Sequence, residues 1–479
     1  MTHIQTSTHF DPTIHAYKST ILLRITNHGT WQQEFSTSFQ IPLGVWASAY
    51  ALWIDGKKVD GALTEKKATL WVYQQIVRAR QDPGLLYYED ATTLRLRVFP
   101  VLARETRQTS FTLLHKAPFS LQIGASTHHL DDSRVKSRMQ RPIERLWGDH
   151  LLFFPHEQKA KLPTLTRKPY LHAILDCSQG RKSHYALYIE QIRKLHQRYN
   201  LDPTHTRVTF ANYQAHTSAW SADLLQHLES YPAQGGLFLV RVLKRIYLEH
   251  ATQARDSFPI VVVLTPRIQD AILKQRLQGV PFLSPDSASF YSLNPQDQFT
   301  RHTLYGPTRD QEIQETAPTV FQPFSLRAVR AWPNVQSPRV FLPNDGQDSL
   351  VLRVPSVAQM PPTALPNDPW QAGLAIYGRW LLQQLRLGGQ ENWLAQIRWS
   401  WYARILSPQT SFTVLENQAQ WEALRRKQQQ VLAGKSFFDL TEEDGPRRAD
   451  EPPIGWLVLL LGLFFFYLLR KTRKTPSQN

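Results

Sequence analysis

Between residues 35 and 114 the spacing of apolar positions changes repeatedly, and each change marks an element. Phe39-Gln40-Ile41-Pro42-Leu43-Gly44 is an extended apolar run closed by Pro and Gly. Residues 48–54 and 57–63 read as two strands. Asp55-Gly56 lies between them, the strongest short hairpin signal. Residues 64–79 carry Ala68, Trp71, Val72, Gln75 and Ile76 at helical spacing, with Thr64 placed to cap. Asp82-Pro83-Gly84 ends that helix, because Pro removes a donor and Gly tolerates positive φ. Leu94, Leu96 and Val98 then alternate with Arg95 and Arg97, which predicts a strand with its leucines on a core and its arginines in water.

From Tyr170 the pattern becomes an alternation of strand and helix. Short apolar runs at 171–175, 207–210 and 260–264 read as strands. Stretches 183–199, 222–228 and 237–248 have helical periodicity. The β-branched run at 260–264 suits a strand buried on both faces. This order predicts a parallel, doubly wound sheet with helices on both sides. Residues 291–365 are rich in Pro, Gln and Thr, with strand-like pieces at 325–329 and 349–354 and a hairpin turn at Asn344-Asp345-Gly346. Residues 369–385 form a helix with Trp370, Leu374, Tyr377, Trp380 and Leu381 along one face. A closing strand at 413–415 and a polar helix at 421–432, with Arg425-Arg426-Lys427, come after it. Residues 454–469 hold no charge, and Arg470-Lys471-Thr472-Arg473-Lys474 follows at once. That run spans roughly 24 Å as a helix, and snorkelling of Arg470 and Lys471 extends it towards a bilayer core of about 30 Å.

The chain of 479 residues has room for two or three domains. Its formal net charge of +16 favours anionic surfaces. No nucleic-acid motif accompanies the charge, so nucleic acid is not an expected partner. The single cysteine, Cys177, excludes an intramolecular disulfide. The first twenty residues have no apolar core, so no signal peptide is expected there. Gly-x-Ser-x-Gly, a P-loop, His-Glu-x-x-His and paired Cys motifs are all missing, and no enzyme activity is expected. Cys177 beside Asp176 is the one nucleophile to weigh, and a lone Cys at the end of a buried strand is usually packing.

The FQIPLG corner, Asp55-Gly56, Glu65-Lys66-Lys67-Ala68, Tyr73, the turn at 80–86, the RLRVFP strand and Glu105-Thr106-Arg107 occur in one order. Over roughly residues 15–120 that order resembles the VIT domain, a module that implies interaction. The alternating region resembles a von Willebrand factor A domain. That family's Asp-x-Ser-x-Ser loop, with a Thr and an Asp from later loops, binds a divalent cation. Here Asp176 and Ser178 match, while Gly180, Leu237 and Pro266 stand at the other three positions. The resemblance therefore implies a degenerate site without metal, with a weak divalent-cation site as the alternative. Residues 402–416 resemble the closing turn and strand of proteins that carry both modules, and a β-sandwich beside the A-like domain is implied. The acidic Glu-Pro, hydrophobic helix and basic end resemble the sorting signal of the MSEP-CTERM family, partnered with exosortase N. Asp450, Glu451 and Pro452 then form the sorting motif, with Asp450 where that family has Ser. Family members carry multi-spanning segments ahead of the VIT domain, whereas this sequence reads as a divergent, split or truncated form.

The expected fold is thus a multidomain mixture of α/β and β. It comprises a β-rich VIT domain at 1–124, a linker and strand at 125–168, and a doubly wound A-like domain at 169–290. A β-rich sandwich segment at 291–365 follows, then helices with a closing strand at 366–438. A flexible acidic linker at 439–453, a transmembrane helix at 454–469 and a basic tail at 470–479 complete the chain. The expected function is that of a membrane-anchored interaction protein of a bacterial envelope. Its partners are the membrane, exosortase N and a further protein, and its body lies on the periplasmic or outer side. A cytosolic tail-anchored scaffold is the alternative, with an uncharacterised enzyme behind it.

Overall fold

The computed structural model describes residues 2–78, 83–135, 140–251, 256–271, 277, 279–304, 324–353, 365–385, 393–415 and 417–433. Strands β1 (Thr2–Asp11), β2 (Ala16–Thr26), β3 (Gln33–Gln40), β4 (Trp46–Ile54), β5 (Lys57–Asp60) and β6 (Ala62–Glu65) lead into helix α1 (Lys66–Arg78). Then come β7 (Gly84–Tyr88), β8 (Thr93–Val101), β9 (Thr106–His115), β10 (Phe119–Ile123) and β11 (Ser126–Leu130). One sheet has the order β1-β2-β9-β4-β5 and is antiparallel throughout. A second contains β3, β8, β7 and β6. Period-two alternation makes the two sheets a sandwich. Ile21, Leu23, Phe111 and Leu113 from the first share one core with Leu86, Leu94, Leu96 and Val98 from the second.

The Asp55-Gly56 hairpin forms, with Ile54 paired to Lys57 and both turn residues at positive φ, as a type I′ turn requires. The strand expected at 57–63 instead splits at Gly61, with β5 in the first sheet and β6 in the second. Helix α1 begins after Glu65, not at Thr64. The Glu65 carboxylate accepts the backbone N–H groups of Lys67 and Ala68 at 2.9 and 2.7 Å. The hydroxyl of Thr64 lies 2.7 Å from that of Thr69 instead. The buried side of α1 is Ala68, Leu70, Val72 and Tyr73, with Trp71 half-buried and Gln75 exposed. Arg95 and Arg97 do not simply face water. Arg97 pairs with Glu34 at 2.8 Å and stacks under Tyr73, and Arg95 pairs with Glu89 at 2.9 Å.

The next elements are β12 (Glu144–Leu146), β13 (Leu151–Phe154), α2 (His156–Lys159), β14 (Thr164–Asp176), α3 (Tyr185–Tyr199), β15 (Arg207–Ala211) and β16 (Ala215–Ala219). After them come α4 (Leu224–Ser230), α5 (Leu239–Ala251), β17 (Ser257–Leu264), β18 (Ser289–Leu293) and β19 (Phe299–Thr303). The sheet order is β16-β15-β14-β17-β18-β19, with β15, β14, β17 and β18 parallel. Helices α3 and α4 cover one face through Tyr188, Ile192, Leu224 and Leu228. Helix α5 covers the other through Leu239, Val242, Leu243 and Ile246.

Among the described residues of 291–365, the strands pair with other sheets rather than forming the separate sandwich expected of them. β20 (Arg327–Trp332) pairs with the start of β14, and β21 (Val340–Pro343) pairs with β20. β22 (Ser349–Leu352) joins β13 and β12. Asn344-Asp345-Gly346 therefore links strands of different sheets rather than closing a hairpin.

Two late elements unite the chain. Helix α6 (Pro369–Leu385) starts where the Asp368 carboxylate accepts the N–H groups of Trp370 and Gln371. It is buried along almost its whole circumference, not along one face. Its core also contains Trp46, Phe153, Val261 and Val263. After α7 (Trp393–Ala403), β23 (Thr410–Val414) enters the second N-terminal sheet between β7 and β6, giving the order β3-β8-β7-β23-β6. Phe412 and Val414 belong to the sandwich core. Helix α8 (Gln418–Leu432) then places the Lys427 ammonium 4.5 Å from the Trp71 ring centre. Residues 1–428 form one compact unit, so the expected borders at 124, 168, 290 and 365 do not coincide with breaks in packing. Among the described residues, no helix is long and apolar enough to cross a membrane. The expected linker, transmembrane helix and basic tail, with Asp450, Glu451 and Pro452, lie outside the described residues.

Candidate functional site

Strand β14 runs through the middle of the parallel sheet and ends at Asp176. The chain leaves it towards β15 on one side and returns to β17 on the other. The carboxyl ends of β14 and β17 therefore flank a topological switch point, where open α/β sheets bind ligands. Asp176, Ser178 and Thr265 meet there, all of them buried. One carboxylate oxygen of Asp176 accepts the Ser178 N–H at 3.0 Å and the Ser178 hydroxyl at 2.6 Å. The other accepts the Thr265 hydroxyl at 2.7 Å.

The positive charge in this crevice comes from the protein. Arg181 lies 3.4 Å from Asp176 through Nε and 2.6 Å from Asp270 through a terminal nitrogen. Arg267 stands beside the same Asp270 at 3.7 Å and is largely exposed. Of the other positions expected to matter, Gly180 sits in the turn at φ +81, and Leu237 is core. A divalent ion needs several oxygen ligands free to converge. Both oxygens of Asp176 accept hydrogen bonds, and the Arg181 guanidinium lies 3.4 Å from one of them. That positive charge opposes a bound cation beside Asp176, and no chemistry is derived through one. Sequence spacing marked Asp176 and Ser178 but missed Arg181. Its signal was a cation five residues after Asp176, in the same loop.

Cys177 is fully buried, its N–H donating to Ala211 at 2.8 Å. Burial pushes its thiol up to about 12, so the nucleophilic thiolate is scarce at neutral pH.

A second cluster gathers His156, Glu157 and Asp348. Arg141 already fills its centre, donating to Glu157 at 2.8 and 2.7 Å and to Asp348 at 2.7 and 3.0 Å. Burial opposes its charge, but the two carboxylates prevail and hold the guanidinium above its ordinary value. This is an arginine-centred ion cluster that ties the segment before β12 to β22. It borders a cleft of about 580 Å³ whose walls include Leu43, Phe119, Phe282 and Phe341.

Residues 5–113 match the family model of the vault protein inter-alpha-trypsin domain, so the N-terminal sandwich carries a VIT domain. That stretch includes most of β1 and stops before the end of β9. No curated protein matches the chain. Among solved structures, the chain is similar to a GH20 exo beta-N-acetylglucosaminidase from Vibrio harveyi in complex with N-acetylglucosamine. The two share 10% identity over 60% of this chain and 50% of that one, with a TM-score of 0.14. An inactive mutant of the same enzyme gives 9% identity, the same coverage and a TM-score of 0.14. The chain spans about half the length of those enzymes, and overlap this slight supports no statement about fold or activity.

Proposed function

We propose that this chain, with its VIT domain at residues 5–113, is a membrane-anchored interaction protein of a bacterial envelope. In this reading the parallel-sheet layer is a degenerate von Willebrand factor A-like module. The tail is a sorting signal of the MSEP-CTERM type, with Asp450, Glu451 and Pro452 as the motif read by exosortase N. The observation that carries the interaction role is the crevice at Asp176. It sits at the binding end of a parallel sheet, its carboxylate is neutralised by Arg181, and its thiol neighbour is buried. Such a site suits recognition of a partner's polar or acidic groups and offers no activated nucleophile, so the protein is read as a binder rather than an enzyme. The anchor rests on the uncharged run 454–469 followed by Arg470 and Lys471. The positive-inside rule then places the body across the membrane from that basic end.

The test is fractionation of full-length tagged variants in a host that carries the cognate exosortase. The native chain is expected in the membrane fraction. A charge at a helix centre costs about 2.5–3.5 kcal/mol on insertion scales, so replacing both Leu461 and Phe465 by Asp should release it. Glu451→Ala and Pro452→Ala should leave insertion intact and block only processing, so the band runs slightly larger. A band unchanged by either substitution removes the sorting claim, and soluble native protein removes the anchor. Protease protection in spheroplasts separates this reading from a cytosolic tail-anchored scaffold, whose body would be shielded.

A further inference from the structure

Asn27 is a buried joint at one end of the N-terminal sandwich. Its side-chain N–H groups donate to the Trp31 carbonyl at 2.7 Å and to the Val101 carbonyl at 2.9 Å. Its side-chain oxygen accepts the Gly29 N–H at 2.8 Å, and its backbone N–H donates to the Glu105 carbonyl at 3.0 Å. The turns at 27–32 and 102–105 are thereby locked together. Each presents an apolar side chain to solvent: Trp31 is 80% exposed and Leu102 50%. Apolar side chains scattered singly over a surface need no explanation, but two held side by side on fixed turns form a patch.

The strand register shows which end of the sheet this is. Leu23, Thr109 and Leu52 lie in one row across β2, β9 and β4. Thr26, Thr106 and Asp55 therefore lie together, at the end where Trp31 and Leu102 stand. The opposite end is occupied, since Ala16, Trp46 and Leu114 share a core with α6. Charge at the Trp31 end is mainly of one sign. Arg24, Lys57 and Arg104 are exposed and, among the described residues, have no ion-pair partner. Arg104 stands at φ +60 in the same turn as Leu102. The Glu105 carboxylate turns inward, accepting the Leu102 N–H at 2.7 Å and lying 3.6 Å from Arg107. Lys58 is matched by Asp60 at 3.0 Å. Of the described acids at this end, only Asp55 is left unpaired.

We propose that this end of the sandwich docks on an anionic lipid surface. Trp31 and Leu102 enter the headgroup layer, and Arg24, Lys57 and Arg104 meet its phosphates. Tryptophan settles at a membrane interface because its ring is apolar and its N–H polar. Each basic side chain held near an anionic leaflet strengthens binding about fivefold. Charge and shape favour a lipid surface over a protein partner. The unpaired cations complement an anionic leaflet, and the net charge of +16 keeps that attraction at longer range. The two apolar side chains project from turns rather than lining a groove, and fluid headgroups accept them without a matching pocket. The inference stands on the sandwich alone and does not rest on an anchor at 454–469.

The experiment uses the full chain carrying Leu461→Asp and Phe465→Asp, so that an anchor there takes no part. Fractionation of the native chain tests that anchor separately. Leu102→Cys and Thr13→Cys chains are labelled with an environment-sensitive fluorophore, while Cys177 stays buried and unlabelled. Thr13 is exposed in the turn between β1 and β2, at the opposite end of the sheet. The vesicles are phosphatidylcholine, with or without phosphatidylglycerol, and carry a nitroxide lipid as quencher. Quenching is expected at position 102 with phosphatidylglycerol, and neither at position 13 nor with phosphatidylcholine alone. High salt should reverse it. Arg104→Glu should weaken binding at least about tenfold. Trp31→Ser should weaken it too, and flotation of the unlabelled chain, with Leu102 intact, should show the same order. Both substituted side chains are exposed, so unchanged melts separate loss of docking from loss of fold. No quenching at 102, equal quenching at both positions, or quenching indifferent to phosphatidylglycerol would each overturn the proposal. So would a photoreactive group at 102 that cross-links in cells to a protein rather than to lipid.

Discussion

At the residue scale, a charge close to its partner decides more than the motif around it. Asp176 and Ser178 stand where a cation-binding loop would place them, yet Arg181 supplies the positive charge. Removing that guanidinium should recreate a divalent-ion site from Asp176, Ser178 and Thr265. The melting temperature of the native chain should therefore be indifferent to millimolar magnesium, while that of Arg181→Ala rises with it. At one hundred times the dissociation constant the gain should be about 2.7 kcal/mol. A magnesium-dependent rise in the native chain that disappears in Asp176→Ala would show that Arg181 does not hold the site. Helix α1 offers a second case. Apolar spacing assigned Trp71 to the inner face, but Tyr73 is the buried ring, donating to Glu34 at 2.5 Å. Tyr73→Ala should cost about 3–5 kcal/mol, the range of a buried aromatic, and Trp71→Ala clearly less, about 1–2 kcal/mol. Urea denaturation of the two variants checks the order. Sequence reading missed it because a partner strand and Lys427, both distant in sequence, define which side of α1 is inside.

At the element scale, β23 and α6 hold the chain together. β23 is hydrogen-bonded on both sides, to β7 and to β6, so the N-terminal sandwich lacks an inner strand without it. A fragment of residues 1–135 should show no cooperative unfolding, and fusing residues 405–415 to its end should restore a transition seen by circular dichroism. Within the whole chain, Phe412→Ala should cost about 3–5 kcal/mol. Helix α6 approaches its neighbours through two glycines. A Cβ at Gly378 would stand 2.5 Å from Leu151, and one at Gly373 would stand 2.6 Å from Trp46. Gly→Ala inside a helix ordinarily stabilises by roughly 1 kcal/mol. Here Gly378→Ala should destabilise by about 1–3 kcal/mol, the usual result of overpacking. Thermal melts decide the sign. The run 369–385 was legible as a helix, since apolar spacing carries it. Its burial on every side was not legible, because both of its packing surfaces arrive from far along the chain.

At the scale of the whole molecule, the interior holds histidines in their neutral form. His172 is fully desolvated, which lowers it to about 3, with its Nε2 at 2.8 Å from the Thr209 hydroxyl. His115 and His302 are each lowered to about 4, chiefly by burial, beside Ser19 and Ser292. A lowered folded-state value means that the unfolded chain binds these protons first. The stability they represent is present above about 6.5 and is lost as pH falls from there towards 4 and 3. At pH 5 each should cost about 2 kcal/mol, so the urea midpoint should fall steeply between pH 7 and 5. His172→Gln or His302→Gln should flatten that slope, and an unchanged slope would place the protons elsewhere. The alternation of Leu94, Leu96 and Val98, the Asp55-Gly56 turn and the β-branched run before Thr265 were determined by sequence alone. Each depends on neighbours a few residues away, where steric and capping preferences act directly. Which sheet takes Thr410–Val414, which strands share the late β segment, and which cation meets Asp176 were decided only by tertiary structure. Those outcomes turn on backbone hydrogen bonds and charges brought together from distant parts of the chain, as where Thr413 pairs with Ala62, and local spacing carries no information about partners so distant.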